Sequence, residues 1–328
     1  MIRDELFDEV LLAPTNEGAN KLYIVSGYAT AAMAFHHLDF LAKEKKNIKI
    51  ALLIGMCPID GLSLSNHRAF RQLVELDYPD NFECSYVIKP PAVHSKIYAW
   101  YKNEEPLYGY AGSANYTQTA FLKTQREVIT RCNADAAFIY YNDLLRDTIY
   151  CTHPDADSFV QIYNDKFYPK KHPLQKIKIK EEEKVVFDED VTGLPFVTVS
   201  LLDRSGNLPQ RSGLNWGQRP DDHREPNQAY IRLTADIYKT NFFPTRTVHF
   251  TLLTDDSKVL ICTRAQDNGK AIHTPHNNSL IGEYFRNRLG VPNGVPLTTE
   301  DLIKYGRIDI TFYKIDDETY FMDFSPQE

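Results

Sequence analysis

The chain has 328 residues, enough for two domains with a core each, and its 43% apolar and 25% charged residues are those of a globular protein. The net charge of -7 gives no global basic signal for nucleic acid, so any phosphate contact must come from a local patch. No run approaches the roughly 18 apolar residues of a membrane span, and the charged start Met1-Ile2-Arg3-Asp4 lacks the apolar centre of a secretion signal.

In chain order, residues 22–29 read as a buried strand ending at a small-residue turn, and 30–44 carry a helical pattern through Ala31, Phe35, Leu38 and Ala42. A second strand over 48–54 closes at Gly55. A helix over 67–76 buries Phe70, Leu73 and Val74, and a third strand covers 82–88. This alternation predicts an α/β layered domain. The β-branched and aromatic run Ile97-Tyr98-Ala99-Trp100-Tyr101 is a further strand, and the polar stretch 102–106 turns the chain back into a strand through Leu107 to Ala111. A short helix is expected from Gln118 to Leu122, a strand over 125–131 bearing Glu127, and a helix over 134–150.

His94-Ser95-Lys96 opens the first of those central strands, and the second ends at Gly112-Ser113-Ala114-Asn115. On a strand His94 and Lys96 share one face, roughly 7 Å apart. An imidazole, an ammonium, a hydroxyl and a carboxamide would then converge, a set suited to attack on a phosphate. A lone His-x-Lys pair on a strand is usually surface decoration, and Ser113 by itself would only cap its turn. The Gly-Ser-x-Asn turn at this distance favours a site.

Composition shifts between 169 and 190, where little could bury a core, so a linker is expected over 174–190 between domains at 1–173 and 191–328. Beyond it, short strands are predicted over 195–202, 228–233, 248–253, 259–263, 308–313 and 319–324, with one helix over 279–289: the pattern of a β-rich barrel or sandwich. Five scattered cysteines without C-x-x-C spacing suit reduced thiols in a cytoplasmic protein. His172, His223, His273 and His276 show no metal-ligand spacing.

His94-x-Lys96 with Gly112-Ser113-x-Asn115 resembles the phospholipase D superfamily signature. The resemblance implies metal-independent phosphodiester chemistry in which His94 attacks phosphorus and forms a phosphohistidine. Lys96 and Asn115 would hold the non-bridging oxygens, Ser113 would hydrogen-bond within the site, and Glu127 would match the acidic residue of the nuclease branch. The family's H-x-K-x4-D pattern has Tyr101 at its aspartate position here, which leans away from a lipase. One H-x-K motif per chain implies a homodimer, because a second histidine must protonate the leaving oxygen.

The stretches 211–219, 265–272 and 277–285 are similar to the NgoFVII/NgoAVII type of restriction endonuclease. That family joins an α/β phospholipase D-like N-terminal domain to a mainly-β B3-like pseudobarrel that grips double-stranded DNA with two arms. Here the arms would be about 203–225 and 264–278, with Arg211, Asn215, Trp216, Gln218, Arg219, Gln266 and Lys270 as the candidate DNA-binding residues. The implied enzyme is a type II-like restriction endodeoxyribonuclease without metal or cofactor. Members of the family can work with a separate helicase-like ATPase, the one route by which ATP would enter. The competing readings are a lipid phosphodiesterase, which no membrane-binding helix supports, and a catalytically silent DNA-binding regulator, which the intact His94, Lys96 and Asn115 oppose.

Overall fold

The structure is a computed structural model that describes residues 1–122, 125–165 and 193–327. The expected linker at 174–190 and His172 lie outside the described residues. The chain divides into two compact units between Asp165 and Lys166.

In the first unit a π-wound turn, Phe7–Leu12, leads into α1 (Ala13–Asn16) and then β1 (Lys21–Ser26). α2 (Ala31–Lys43) starts where the Thr30 side chain accepts the Met33 N–H, and buries Met33, Phe35, Leu38 and Leu41. β2 (Lys49–Ile54), α3 (Cys57–Asp60), β3 (Leu62–Ser63), α4 (Leu64–Gln72) and β4 (Phe82–Val87) follow. β5 (Lys96–Lys102) and β6 (Glu105–Gly112) form the central hairpin. After it come α5 (Gln118–Phe121), β7 (Ile129–Cys132), α6 (Ala134–Leu145), β8 (Thr148–Tyr150), α7 (Ala156–Phe159) and β9 (Ile162–Tyr163), which pairs with β3.

The main sheet has seven strands in the order β7-β6-β5-β1-β2-β4-β8. β1, β2 and β4 run parallel, and β5 returns antiparallel beside β1 with Lys96 opposite Ser26. The carboxyl ends of β1 and β6 thus meet the amino ends of β5 and β7 along one edge. Trp100 is fully buried at the middle of β5 and donates from Nε1 to Val10 O at 2.8 Å, which docks the N-terminal turn on the sheet.

Two expectations need correction. The helix expected over 134–150 stops at Leu145, because Thr148–Tyr150 pair with Ser85–Val87 as an edge strand. His94 and Glu127, expected on strands, each lie two residues before one, at the entrances to β5 and β7. All five cysteines are free thiols; four are buried and Cys132 is exposed.

The second unit is a seven-stranded, mostly antiparallel sheet in the order β10-β15-β16-β12-β13-β14-β11. Its strands are β10 (Phe196–Ser200), β11 (Ile231–Arg232), β12 (His249–Thr254), β13 (Val259–Ala265), β14 (Ala271–His273), β15 (Asp309–Lys314) and β16 (Thr319–Asp323). β12 is buried along its whole length, which is why its run His-Phe-Thr-Leu-Leu-Thr lacks the polar alternation of a half-exposed strand. The core gathers Phe250, Leu252, Phe285, Phe312, Tyr320 and Phe324. α8 (Ala235–Tyr238) is one turn, and α9 (Ser279–Leu289) has the bounds expected, ended by Gly290 in the left-handed region. The single expected helix is joined by α10 (Thr299–Tyr305), whose signal, a capping box of Thr298 and Asp301, stands in the sequence.

Candidate functional site

The first site forms where β1 and β6 end and β5 begins. Lys96 is 6% exposed, with Nζ 3.0 Å from His94 Nδ1, 3.3 Å from His94 Nε2 and 2.7 Å from His94 O. An ammonium has only donors, so the ring nitrogen that faces it accepts. Burial pushes the Lys96 ammonium below the ordinary lysine value, and the Glu127 carboxylate pulls it partway back. The His94 ring is exposed and packs edge-on against Tyr28 at 5.8 Å. Beneath it lies Gly27, where a Cβ would come within 3.2 Å of His94 Cδ2. The preceding loop is held by Val93 N–H on Gly55 O at 3.0 Å, and a Cβ at Gly55 would come within 2.0 Å of Val93 O.

Asn115 is oriented by its neighbours. Its Oδ1 accepts the Tyr28 N–H at 3.1 Å and lies 3.4 Å from Ser26 Oγ, which leaves the amide nitrogen with no partner among the described residues. Ser26 Oγ braces the same turn, donating to Tyr28 O at 2.6 Å and accepting the Tyr116 N–H at 2.9 Å. Tyr98, fully buried, donates to Ala114 O at 2.7 Å. Ser113 Oγ donates to Glu127 Oε2 and accepts the Val128 N–H at 3.0 Å. The residues expected from sequence are therefore linked, and Tyr28 and Ser26 join them. Ser26 ends the parallel strand β1 and Tyr28 follows it, a place where α/β sheets bind ligands, and that was the available signal. Tyr28 in turn donates from its hydroxyl to Asp60 Oδ2 at 2.5 Å. Among the described residues no group of three or more His, Cys, Asp or Glu side chains is placed to hold a metal ion.

In the second unit the seven candidate DNA-binding residues separate into two groups. Arg211, Gln266 and Lys270 are exposed, and their side chains have no hydrogen-bond partner among the described residues. Asn215 is 0% exposed: its Nδ2 donates to Pro209 O at 3.1 Å and Leu297 O at 2.8 Å, and its Oδ1 accepts the Leu297 N–H at 2.9 Å. Every polar atom of the Asn215 side chain is bonded inside the protein, so Asn215 staples the loop, unlike the exposed candidates. Gln218 donates to Pro226 O at 2.9 Å and Gly294 O at 3.1 Å, and among the described residues only its carbonyl has no partner. Arg219 donates to Arg211 O at 2.8 Å and lies 3.5 Å from Asp222. Trp216 is half-buried under the Arg224 guanidinium, 4.1 Å from the ring centre.

Comparison with known proteins places both halves. Residues 4–158 match the NgoFVII restriction endonuclease N-terminal PLD domain, and residues 190–316 match the NgoFVII C-terminal B3-like DNA-binding domain. No curated protein matches the chain. Among solved structures, it is similar to Nuc, a phospholipase D family member from Salmonella typhimurium, at 16% identity over 40% of this chain and 81% of that one, with a TM-score of 0.30. NucT from Helicobacter pylori is similar at 16% identity over 45% of this chain and 96% of that one, with a TM-score of 0.32. Polyphosphate kinase from Porphyromonas gingivalis aligns at 10% identity over 46% of this chain and 23% of that one, with a TM-score of 0.29. The structural likenesses are too distant to carry an argument. The two domain matches together span most of the sequence, so the chain belongs to the NgoFVII restriction endonuclease family, a DNA-binding nuclease with an α/β PLD-like first domain and a mainly-β B3-like second.

Proposed function

We propose that the protein is a type II-like restriction endonuclease that binds a short duplex sequence through its second domain and hydrolyses phosphodiesters without a metal ion. The observation that carries the reading is the placement of Lys96 Nζ on the His94 ring, together with Tyr28, which packs on that ring and gives its N–H to Asn115 Oδ1, so that the Asn115 amide nitrogen is left to donate. A His94 ring nitrogen attacks phosphorus, and the bond to the leaving oxygen breaks. Lys96 and Asn115 donate to the non-bridging oxygens, where negative charge develops. The histidine of a second copy gives its proton to the leaving oxygen. Water then attacks the phosphohistidine, gives a proton back to the histidine of the second copy and breaks the nitrogen–phosphorus bond, which frees the ring, so one hard displacement becomes two easier ones. Glu127 and Ser113 hold the turn that presents Asn115.

This reading takes in a homodimer with one composite site and a cytoplasmic location, with domains at 1–173 and 191–328 joined by a linker at 174–190. Arg211, Gln266 and Lys270 are its DNA-contacting residues, with Trp216, Gln218 and Arg219 supporting the first arm. Any need for ATP would enter through a separate helicase-like subunit.

The test is incubation of the full chain with plasmid and phage DNA in EDTA, with the ends mapped. Discrete fragments that disappear in His94→Ala are expected. Cleavage that stops on chelation and survives loss of the imidazole overturns the mechanism. Mixing His94→Ala with wild-type chain should lower activity more than dilution does, and a strictly proportional fall would refute the composite site.

A further inference from the structure

Two guanidiniums of the second unit are buried with no carboxylate within ion-pair distance among the described residues, those of Arg264 and Arg286. Arg286 ties its own helix to neighbouring loops through Gly282 O, Val295 O and Pro226 O. Arg264, at the end of β13 and 8% exposed, does something different. Its Nε donates to Gly269 O at 2.8 Å. Its Nη2 donates to Tyr238 O at 2.6 Å and Asn268 O at 3.1 Å, and its Nη1 to Pro244 O at 3.4 Å. One side chain thus fixes three separate stretches of backbone.

A buried cation without a counter-charge is a costly way to hold loops, and carbonyl dipoles offset only part of that cost. Two of the stretches it holds carry backbone strain. Gln266 and Asn268 have φ of +62° and +58°, and Thr247 has φ of +76°, an outlying value for a β-branched residue. Gln266, Lys270 and Arg246 stand exposed on these same stretches.

We propose that Arg264 is a positioning residue for DNA selection. It holds the turn 266–270 and the loop 244–247 against one guanidinium, so that Gln266, Lys270 and Arg246 form a single DNA-contacting edge. Its own charge, opposed by no carboxylate, favours a phosphate there. Arg246 thereby becomes a DNA contact outside the two arms expected from sequence. The proposal rests on the reading of 264–278 as a DNA-contacting arm.

The experiment uses the full chain carrying His94→Ala, to prevent cleavage. It compares binding to a duplex selected from a random-sequence pool with binding to a scrambled duplex of equal length. Arg264→Lys keeps the charge but not the planar fork. Gly269→Ala puts a Cβ 2.7 Å from Arg264 Nε and pushes the head group away. Each should weaken binding to the selected duplex about ten-fold or more, the scale of one good base contact, while barely changing the scrambled one. Arg246→Ala should weaken both and flatten the salt dependence. A merely structural role for Arg264 would lower the active fraction for both duplexes equally. That outcome, or selectivity unchanged in both variants, overturns the proposal. If Arg264→Lys does not fold, Gly269→Ala decides. If Gln266→Ala and Lys270→Ala also leave binding intact, the arm assignment falls with it. If those two weaken binding and the Arg264 and Gly269 variants do not, the arm stands and only this role is lost.

Discussion

Lys96 and Glu127 set the alkaline limit of the proposed reaction. Burial lowers the Lys96 pKa and the Glu127 carboxylate raises it, so the ammonium that would hold the phosphate oxygens deprotonates earlier than a free lysine. The cleavage rate should therefore fall on the alkaline side below the ordinary lysine range. In Glu127→Gln, which keeps an acceptor for Ser113, that limb should move to lower pH. A limb that stays in place or moves up would show that Lys96 does not govern it. The residue types of this site were legible because their spacing and turn chemistry are local, from His94 to Lys96 and from Gly112 to Asn115. The direction Asn115 faces was not legible, because it depends on the Tyr28 N–H, 87 residues earlier in the chain.

Loops of the second unit hold shape through buried side-chain staples, and Asn215 is the clearest. It joins the 213–215 turn to Leu297 and Pro209 with three hydrogen bonds, all taken by backbone groups. Asn215→Ala leaves those groups unsatisfied, and the second domain should lose roughly 1–3 kcal/mol in urea unfolding. Arg211→Ala, on an exposed side chain without partners, should leave stability unchanged and weaken DNA binding. The opposite pattern would reverse the two roles. Sequence pattern found β12, β13, β15, β16 and α9 because their apolar runs are long and bounded by turn residues. It missed β8 and β14, three residues each, whose strand state comes from pairing with a neighbour and not from any local preference.

At the scale of the molecule, acid should loosen the first domain through one buried imidazole. His37 is 0% exposed, accepts at Nδ1 from the Tyr116 hydroxyl at 2.9 Å and donates at Nε2 to Leu11 O at 3.1 Å. Burial lowers its pKa to about 3. An unfolded histidine takes up a proton near pH 6.5, so this contribution to stability is complete above that value and shrinks as pH falls toward 3. Between pH 7.5 and pH 5 the wild type should lose about 2 kcal/mol more than His37→Gln, measured by urea unfolding at both pH values. Equal losses would mean that His37 titrates in the folded state. The two-domain organisation was suggested by length and by the change in composition after residue 169. What each domain does was legible through motifs, because each motif combines residue types that one chemistry requires.

Trp100, closed inside the first domain, and Trp216, under Arg224 on the second, are the only two indoles in the sequence. The protein therefore carries one indole fluorophore per domain, in opposite surroundings, and excitation at the red edge of the absorption band selects them over the tyrosines. Emission from Trp100 should be blue and shift red only when the first domain melts. Emission from Trp216 should be redder and change when duplex DNA displaces the guanidinium that covers it. A Trp216→Phe chain would report the first signal alone, and a single spectrometer could then follow unfolding and ligand capture as separate events.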